Sequence, residues 1–285
     1  MGAQPAPEMR AHAVRVDDAS FARLAGLVRQ ECGIVLGESK RNLVVSRLGR
    51  RIRELGLANF EAYCQLIETR EGHAERRRMT SLLTTNVTKF FREPHHFERL
   101  TAATLPPLVT RAREGERVRL WSAGCSSGQE AYSLAITLLE LFPQVGSHDV
   151  KILATDIDPV MIEKGRAAVY NDVAEDMVPP PLRRKYFLPS AAGEDHWQVA
   201  EPVRALVRFA ELNLMQDWPF KGRFDVIFCR NVVIYFDAPT QHRLWARFAD
   251  LLTPGGALFV GHSERVAGPA AASFAPDGIT QYRKT

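Results

Sequence analysis

Leu120-Trp-Ser-Ala-Gly124-Cys-Ser-Ser-Gly128-Gln-Glu130 reads as a strand that runs into a glycine turn and directly on into a helix. Gly124 lets the backbone turn sharply, and Gly128 lets the helix lie close to the strand. A helix N-terminus then faces the carboxyl edge of a sheet, which is where open α/β folds bind ligands. The stretch lacks Gly-Lys-Ser/Thr, so a phosphate-cradling P-loop is excluded. Glu130 would repel a pyrophosphate and suits a ligand that carries hydroxyls and a positive charge. Glycines are common in such turns, so the weight falls on the residues that follow.

Downstream, short apolar runs alternate with helical ones. Strands are expected at 118–122, 150–155, 207–212, 224–229, 257–261 and 279–283, and helices at 129–142, 159–168 and 239–252. This alternation predicts a mostly parallel, doubly wound α/β sheet. Each strand end carries polar residues. The second ends at Thr155-Asp156-Ile-Asp158; Asp156 is placed to grip ribose hydroxyls, whereas Asp158 before Pro159 suits a helix N-cap. Glu211-Leu-Asn213-Leu214 follows the third strand, with Asn213 able to read an adenine edge and Leu214 its face. Arg230-Asn231-Val-Val-Ile-Tyr235-Phe follows the fourth. Leu251 to Val260 reads as helix end, Pro254-Gly255-Gly256 turn and strand. From Asp176 to Arg208 the alternation breaks into short apolar runs between turn residues, which predicts a small antiparallel β-subdomain inserted at 176–208.

Upstream, residues 1–16 read as a flexible tail and 17–90 as an all-α domain, with the α/β domain at 91–285. Ser20, Ser39 and Asn59 are candidate N-caps for the first three helices, and a fourth is expected from about His73 to Thr85. Thr84-Thr-Asn86-Val-Thr88-Lys-Phe-Phe-Arg92-Glu-Pro-His-His96-Phe joins the two parts. Its Pro94 suits the first turn of a linking helix. His95 and His96 point about 100° apart on a helix and make a poor chelating pair, so no metal is expected.

Composition bounds the rest. The 285 residues are 46% hydrophobic and 25% charged, ordinary globular values that exclude a disordered or fibrous chain. No apolar run approaches the roughly 20 residues of a membrane span, and residues 1–18 lack a signal-peptide core, so a soluble cytoplasmic protein is expected. The four cysteines fit neither a CxxC motif nor a disulfide scaffold, and each is expected to act as a small buried hydrophobe. Residues 1–100 carry 17 Lys/Arg against 12 Asp/Glu, so the basic excess lies in the first third. Much of it falls on one helix, where Lys40, Arg47, Arg50 and Arg51 flank an apolar stripe of Val44, Val45, Leu48, Ile52 and Leu55. Such a face suits an acidic partner.

The ordered set Thr84–Phe97, Ser122–Glu130, Thr155–Asp158, Leu212–Leu214 and Arg230–Phe236 resembles the chemoreceptor glutamate methyltransferases, the CheR family, over about residues 17–285. The resemblance implies an S-adenosylmethionine-dependent enzyme with a helical N-terminal domain, a Rossmann-like methyltransferase domain and a small antiparallel β-subdomain. It implies cofactor contacts from Asn86, Thr88, Arg92, Glu130, Asp156, Asn213, Leu214, Arg230 and Asn231, with Arg92 and Tyr235 nearest the methyl group. The basic helix matches the surface that meets the receptor's methylation helices, and in some members the β-subdomain holds a receptor C-terminal peptide. The expected protein is a monomer that methylates glutamates of chemoreceptor cytoplasmic helices. Two alternatives stay open. A nucleic-acid methyltransferase would use the basic helix on phosphates, but that helix lacks interleaved stacking aromatics. A non-catalytic cofactor-sensing module would bind without turnover, which the intact Arg92 and Tyr235 argue against.

Overall fold

The computed structural model describes residues 15–171, 173 and 177–285. The tail expectation for 1–14 and the insert's first residue, 176, lie outside the described residues. The chain divides into two compact units, one running through Glu31 and resuming at Leu36–Leu83, the other comprising Cys32–Val35 and Thr84–Thr285.

The first unit contains α1 (Asp18–Cys32), α2 (Arg41–Glu54), α3 (Phe60–Glu68) and α4 (His73–Leu83). Leu24, Val28, Val44, Leu48, Ile52, Phe60, Tyr63, Cys64 and Ile67 are fully buried, and within each helix their spacing of three or four residues marks one inward face. Asn59 caps α3, accepting from the Ala62 amide at 2.9 Å. Two expected caps are corrected. Asp17, not Ser20, caps α1, accepting the Ser20 amide at 2.8 Å; its carboxylate is the stronger acceptor and sits three residues earlier. Ser39 lies inside a 3-10 turn (Glu38–Lys40), and its side chain does not cap α2. Gly72 is required by backbone approach, since a Cβ there would stand 2.1 Å from the Leu66 carbonyl oxygen.

The second unit starts with α5 (Pro94–Arg99), a π-turn (Leu100–Thr104) and α6 (Leu105–Arg113). Pro94 occupies the first turn of α5 as expected, and Pro106 and Pro107 fall in the first turn of α6. There follow β1 (Val118–Ala123), α7 (Gln129–Leu141), β2 (Val150–Asp156), α8 (Pro159–Ala167), β3 (Val169–Tyr170), α9 (Pro180–Tyr186), β4 (Phe187–Pro189), β5 (Trp197–Val199), α10 (Glu201–Arg204), β6 (Val207–Glu211), β7 (Phe224–Cys229), α11 (Ala238–Leu251), β8 (Leu252–Val260), β9 (Phe274–Gly278) and β10 (Gln281–Lys284).

The main sheet has the order β6-β2-β1-β7-β8-β10-β9. Strands β6 to β8 are parallel, while β10 runs antiparallel to both β8 and β9. Alternation along each strand splits the core between the two faces. Val118, Leu120, Val226, Phe228, Ala257 and Phe259 pack with α6 and α7. Trp121, Ala123, Ile227, Cys229, Leu258 and Val260 pack with α11. This is the doubly wound architecture. All four cysteines are buried, and none forms a disulfide among the described residues.

The final strand departs from expectation. Ile279 and Thr280 form a turn between β9 and β10, with Ile279 73% exposed and Thr280 at φ 52°. The run 279–283 is therefore half turn and half strand, and the chain pairs with itself there as a hairpin. Pro254-Gly255-Gly256 sits inside β8 as a bulge, where the register against β7 jumps from Leu252 to Ala257. The small antiparallel sheet exists, in the order β3-β5-β4. It begins at Val169, upstream of 176, while Lys185 and Tyr186 are helical and 201–204 form α10.

Candidate active site

The strand order reverses at β1, whose neighbours are β2 on one side and β7 on the other. Ligands bind at such a switch point, outside the carboxyl ends of the strands. Four successive strand ends meet along this edge, those of β6, β2, β1 and β7.

The turn after β1 is tightly built. Gly124 (φ 80°) and Gly128 (φ 95°) are left-handed. A Cβ on Gly124 would lie 2.4 Å from Cγ2 of Val232 in the turn after β7. Ser126 donates its amide to Asp156 at 2.8 Å and its hydroxyl to the Asn86 carbonyl at 2.9 Å. Asp156 accepts a second amide, from Asp158, at 2.9 Å. Burial pushes the Asp156 carboxyl up to about 6, against these amides that favour its charged form. Among the described residues, the hydrogen bonds to Asp156 come from backbone amides and not from a cation. A carboxylate has about four acceptor positions, so capacity for hydroxyl donors remains. Asp158 caps α8 as expected, accepting from Val160 at 3.0 Å, and its second oxygen accepts from Asn86 Nδ2 at 2.9 Å. The segment 84–97 is thereby tied to two strand ends.

Phe90 anchors that segment, fully buried and edge-on to Tyr170 of β3 and Phe187 of β4. Thr88 and Arg92 beside it are half-buried. Arg92 lies between two left-handed residues, Phe91 (φ 49°) and Glu93 (φ 58°), so its position is set by a strained turn. Its Nη1 donates to the Val87 carbonyl at 2.9 Å.

Behind this turn lies a buried polar network. Glu130 Oε1 accepts from Ser122 Oγ at 2.6 Å, and Oε2 from Arg230 Nε at 2.7 Å. Arg230 Nη1 donates to the Arg92 carbonyl at 2.6 Å and stands 2.9 Å from His96 Nδ1. A guanidinium only donates, so His96 accepts at Nδ1 and carries its proton on Nε2, beside Thr280 Oγ1 (2.9 Å) and the Ile279 carbonyl (3.2 Å). Burial, then the Arg230 charge, pull the His96 pKa down to about 4. Glu93, His95 and His96 have ligand-type atoms within 4.8 Å of one another. A metal there would have to displace Arg230 from His96 and sit beside its charge.

The positive charge that meets Glu130 is therefore the chain's own Arg230. Arg230 is only 2% exposed at its side chain and bears on the edge through Glu130 and Arg92. Asn213 Oδ1 accepts from the Met215 amide at 2.9 Å, and Leu214 is buried in the core beneath α11. Asn231 (φ 59°) turns the chain after β7, with Nδ2 3.4 Å from Glu93 Oε1. Tyr235 is half-buried in the 3-10 turn that follows.

Sequence reasoning missed Glu264. Its buried carboxylate accepts backbone amides from Asn231 (2.8 Å), Val232 (2.8 Å), Val233 (2.9 Å), Ile234 (3.3 Å) and Gly261 (2.6 Å). Burial nevertheless pushes its carboxyl above the ordinary range. The available signal was Gly261-His-Ser-Glu264, an acid placed directly after a parallel strand. The roles of Ser122 and Glu93 in the network were missed as well; neither carries a sequence pattern of its own.

On the basic helix, Arg51 makes a two-point contact with Glu75 (3.0 and 2.7 Å), Arg47 donates to the Leu82 carbonyl at 3.0 Å, and Arg50 pairs with Glu54 at 2.9 Å. Arg47 and Arg51 are thus tied into their own unit, whereas Lys40 and Arg50 are exposed.

Two family models match this chain. The CheR methyltransferase SAM-binding domain covers residues 86–281, and the CheR methyltransferase all-alpha domain covers 19–84. The chain belongs to the CheR methyltransferase family. It is 53% identical over 260 residues to the "Probable chemotaxis protein methyltransferase" of Rhizobium etli, covering 91% of this chain and 97% of that one. It is 45% identical to "Chemotaxis protein methyltransferase 2" of Pseudomonas aeruginosa, over 81% of both chains. Against the "Chemotaxis protein methyltransferase" of Escherichia coli, identity is 41% over 87% of this chain and 85% of that one. This CheR-family chain is an S-adenosylmethionine-dependent methyltransferase of chemotaxis. The residues present fit that cofactor: a buried carboxylate with acceptor capacity for ribose hydroxyls, at a glycine turn on the switch-point edge. Among the described residues, no helix is long and apolar enough to cross a membrane.

Proposed function

We propose that this enzyme methylates glutamate side chains on chemoreceptor cytoplasmic helices, giving methyl esters, and that it works in the cytoplasm as a monomer. The observation that carries the reading is the placement of Arg92 in a strained turn whose carbonyl is held by buried Arg230. A fixed guanidinium beside the switch-point edge suits a substrate carboxylate.

S-adenosylmethionine supplies an electrophilic methyl group when bound. A free glutamate is already ionised at neutral pH, with a pKa of about 4.3, so no general base is required. The chain's work is alignment and exclusion of water. Arg92 orients the incoming carboxylate, and Tyr235 shapes the methyl pocket or steadies that carboxylate. Asp156 takes the ribose hydroxyls. Asn86, Thr88, Asn213, Leu214 and Asn231 complete the cofactor contacts, with Glu130 and Arg230 supporting them from behind. Lys40 and Arg50, on a face braced by Arg47 and Arg51, dock the acidic receptor helices. The small sheet of β3, β5 and β4 is the surface for a receptor C-terminal peptide.

The acceptor is tested by labelled methyl transfer to a receptor cytoplasmic fragment and to the same fragment with its helix glutamates replaced by alanine. Label on the first alone supports the reading. Equal label on both, or label on nucleic acid, overturns it.

A further inference from the structure

Four consecutive amides, Asn231 to Ile234, converge on the Glu264 carboxylate, which also accepts the Gly261 amide. Asn231 is left-handed (φ 59°) and Val232 right-handed (φ −115°, ψ −48°). Successive amides in such an alternation form a concave anion site, or nest. Here the anion is the chain's own side chain. The approach is so close that a Cβ on Gly261 would stand 2.8 Å from Glu264 Oε2 and 2.5 Å from Asn231 Nδ2.

The turn so held sits between three groups of the site. It touches the turn after β1 through Val232 and Gly124. It faces Glu93, next to Arg92, through Asn231. It runs directly into Tyr235. Left-handed backbone at a non-glycine residue is disfavoured and persists only where its surroundings over-determine it. Glu264 supplies that determination from the turn that directly follows β8.

We propose that Glu264 is a positioning residue for methyl transfer. It sets the conformation of the Asn231–Ile234 turn and through it the placement of Tyr235, without touching substrate or cofactor. The inference rests on the proposed role of Tyr235 and goes beyond it by naming what holds that residue in place.

The test uses the full chain with Glu264→Ala and Glu264→Gln. Gln keeps the shape but turns one acceptor into a donor facing amides. Backbone hydrogen exchange is followed by mass spectrometry, and kcat and KM are measured on a receptor cytoplasmic fragment. The expected result for Glu264→Ala is fast exchange at 231–234, with β1, β7 and β8 still protected. Misplacement on the order of 1 Å costs about 10²-fold, so kcat falls by about that factor, while KM for the fragment stays within about threefold. Glu264→Gln falls between the two and is the variant read if Glu264→Ala loses sheet protection. Unchanged protection at 231–234, or wild-type kcat with those amides exposed, overturns the proposal. Tyr235→Phe, assayed alongside, reports on the Tyr235 reading separately. Wild-type kcat there with a depressed value for Glu264→Ala removes Tyr235's role but keeps Glu264 as the residue that positions the turn.

Discussion

Arg230 Nε donates to Glu130 Oε2 at 2.7 Å, with both side chains less than a tenth exposed. The pair bridges β7 to the first turn of α7, and Arg230 continues to the Arg92 carbonyl. Removing one member of a buried pair leaves the other charge uncompensated, at about 3–5 kcal/mol. Arg230→Met is therefore expected to destabilise the enzyme by that amount. Adding Glu130→Gln should recover part of it. A double-mutant cycle in urea checks this; additivity within about 0.5 kcal/mol would show that the pair is not coupled.

Asp156 gives the enzyme a pH dependence of defined sign. Its folded pKa is raised from 3.8 to about 6 by burial. Between these values the folded chain holds a proton that the unfolded chain has released. The associated stability is present below about pH 4 and is lost as pH rises through about 6. Ribose hydroxyls donate to the ionised form, so cofactor binding runs in the opposite direction. S-adenosylhomocysteine affinity is expected to rise about tenfold from pH 5 to above 7 and then level off. Calorimetric titration checks it, and Asp156→Asn should bind weakly with a flat profile.

Arg92→Ala is expected to lower kcat by about 10²-fold, with S-adenosylhomocysteine binding partly retained. Stopped-time methyl transfer and calorimetry on the same preparation separate the two effects. Loss of binding with no further loss of kcat at saturation would make Arg92 a cofactor residue alone.

The basic helix divides by contact. Arg50→Glu and Lys40→Glu should raise KM for the receptor fragment, with the difference shrinking as salt rises through the physiological range. Arg51→Ala should instead cost about 1–3 kcal/mol of stability, because it leaves Glu75 and its partner Tyr63 without their guanidinium. Salt-dependent kinetics and thermal unfolding distinguish these outcomes.

The parallel core and the site edge were legible because their signals are local. Gly124 and Gly128 mark a turn only glycine makes easily, and Asp156 lies three residues before the first residue of a proline-led helix. The C-terminal hairpin was not, because Ile279 is apolar yet forms the turn, so hydrophobicity pointed the wrong way. The small sheet was half legible: its strands are only two or three residues long, too short for alternation to set their ends. Ser20 and Ser39 resemble caps by their hydroxyls alone; at α1 Asp17 is the better acceptor in reach, and Ser39 falls inside the 3-10 turn that precedes α2. The pairing of Glu130 with Arg230, a hundred residues apart, and the four amides of Asn231 to Ile234 on Glu264 are tertiary facts. They arise where strand ends meet, and no spacing along the chain encodes them.

On this mechanism the bond formed is a carboxyl methyl ester. The most direct measurement is alkali treatment of a receptor fragment labelled by this enzyme from methyl-labelled S-adenosylmethionine, with the modified residue located by tandem mass spectrometry. Label on glutamate, released as methanol by mild base, is the expected result. Label that survives base, on a lysine, an arginine or any residue other than a carboxylate, would contradict it.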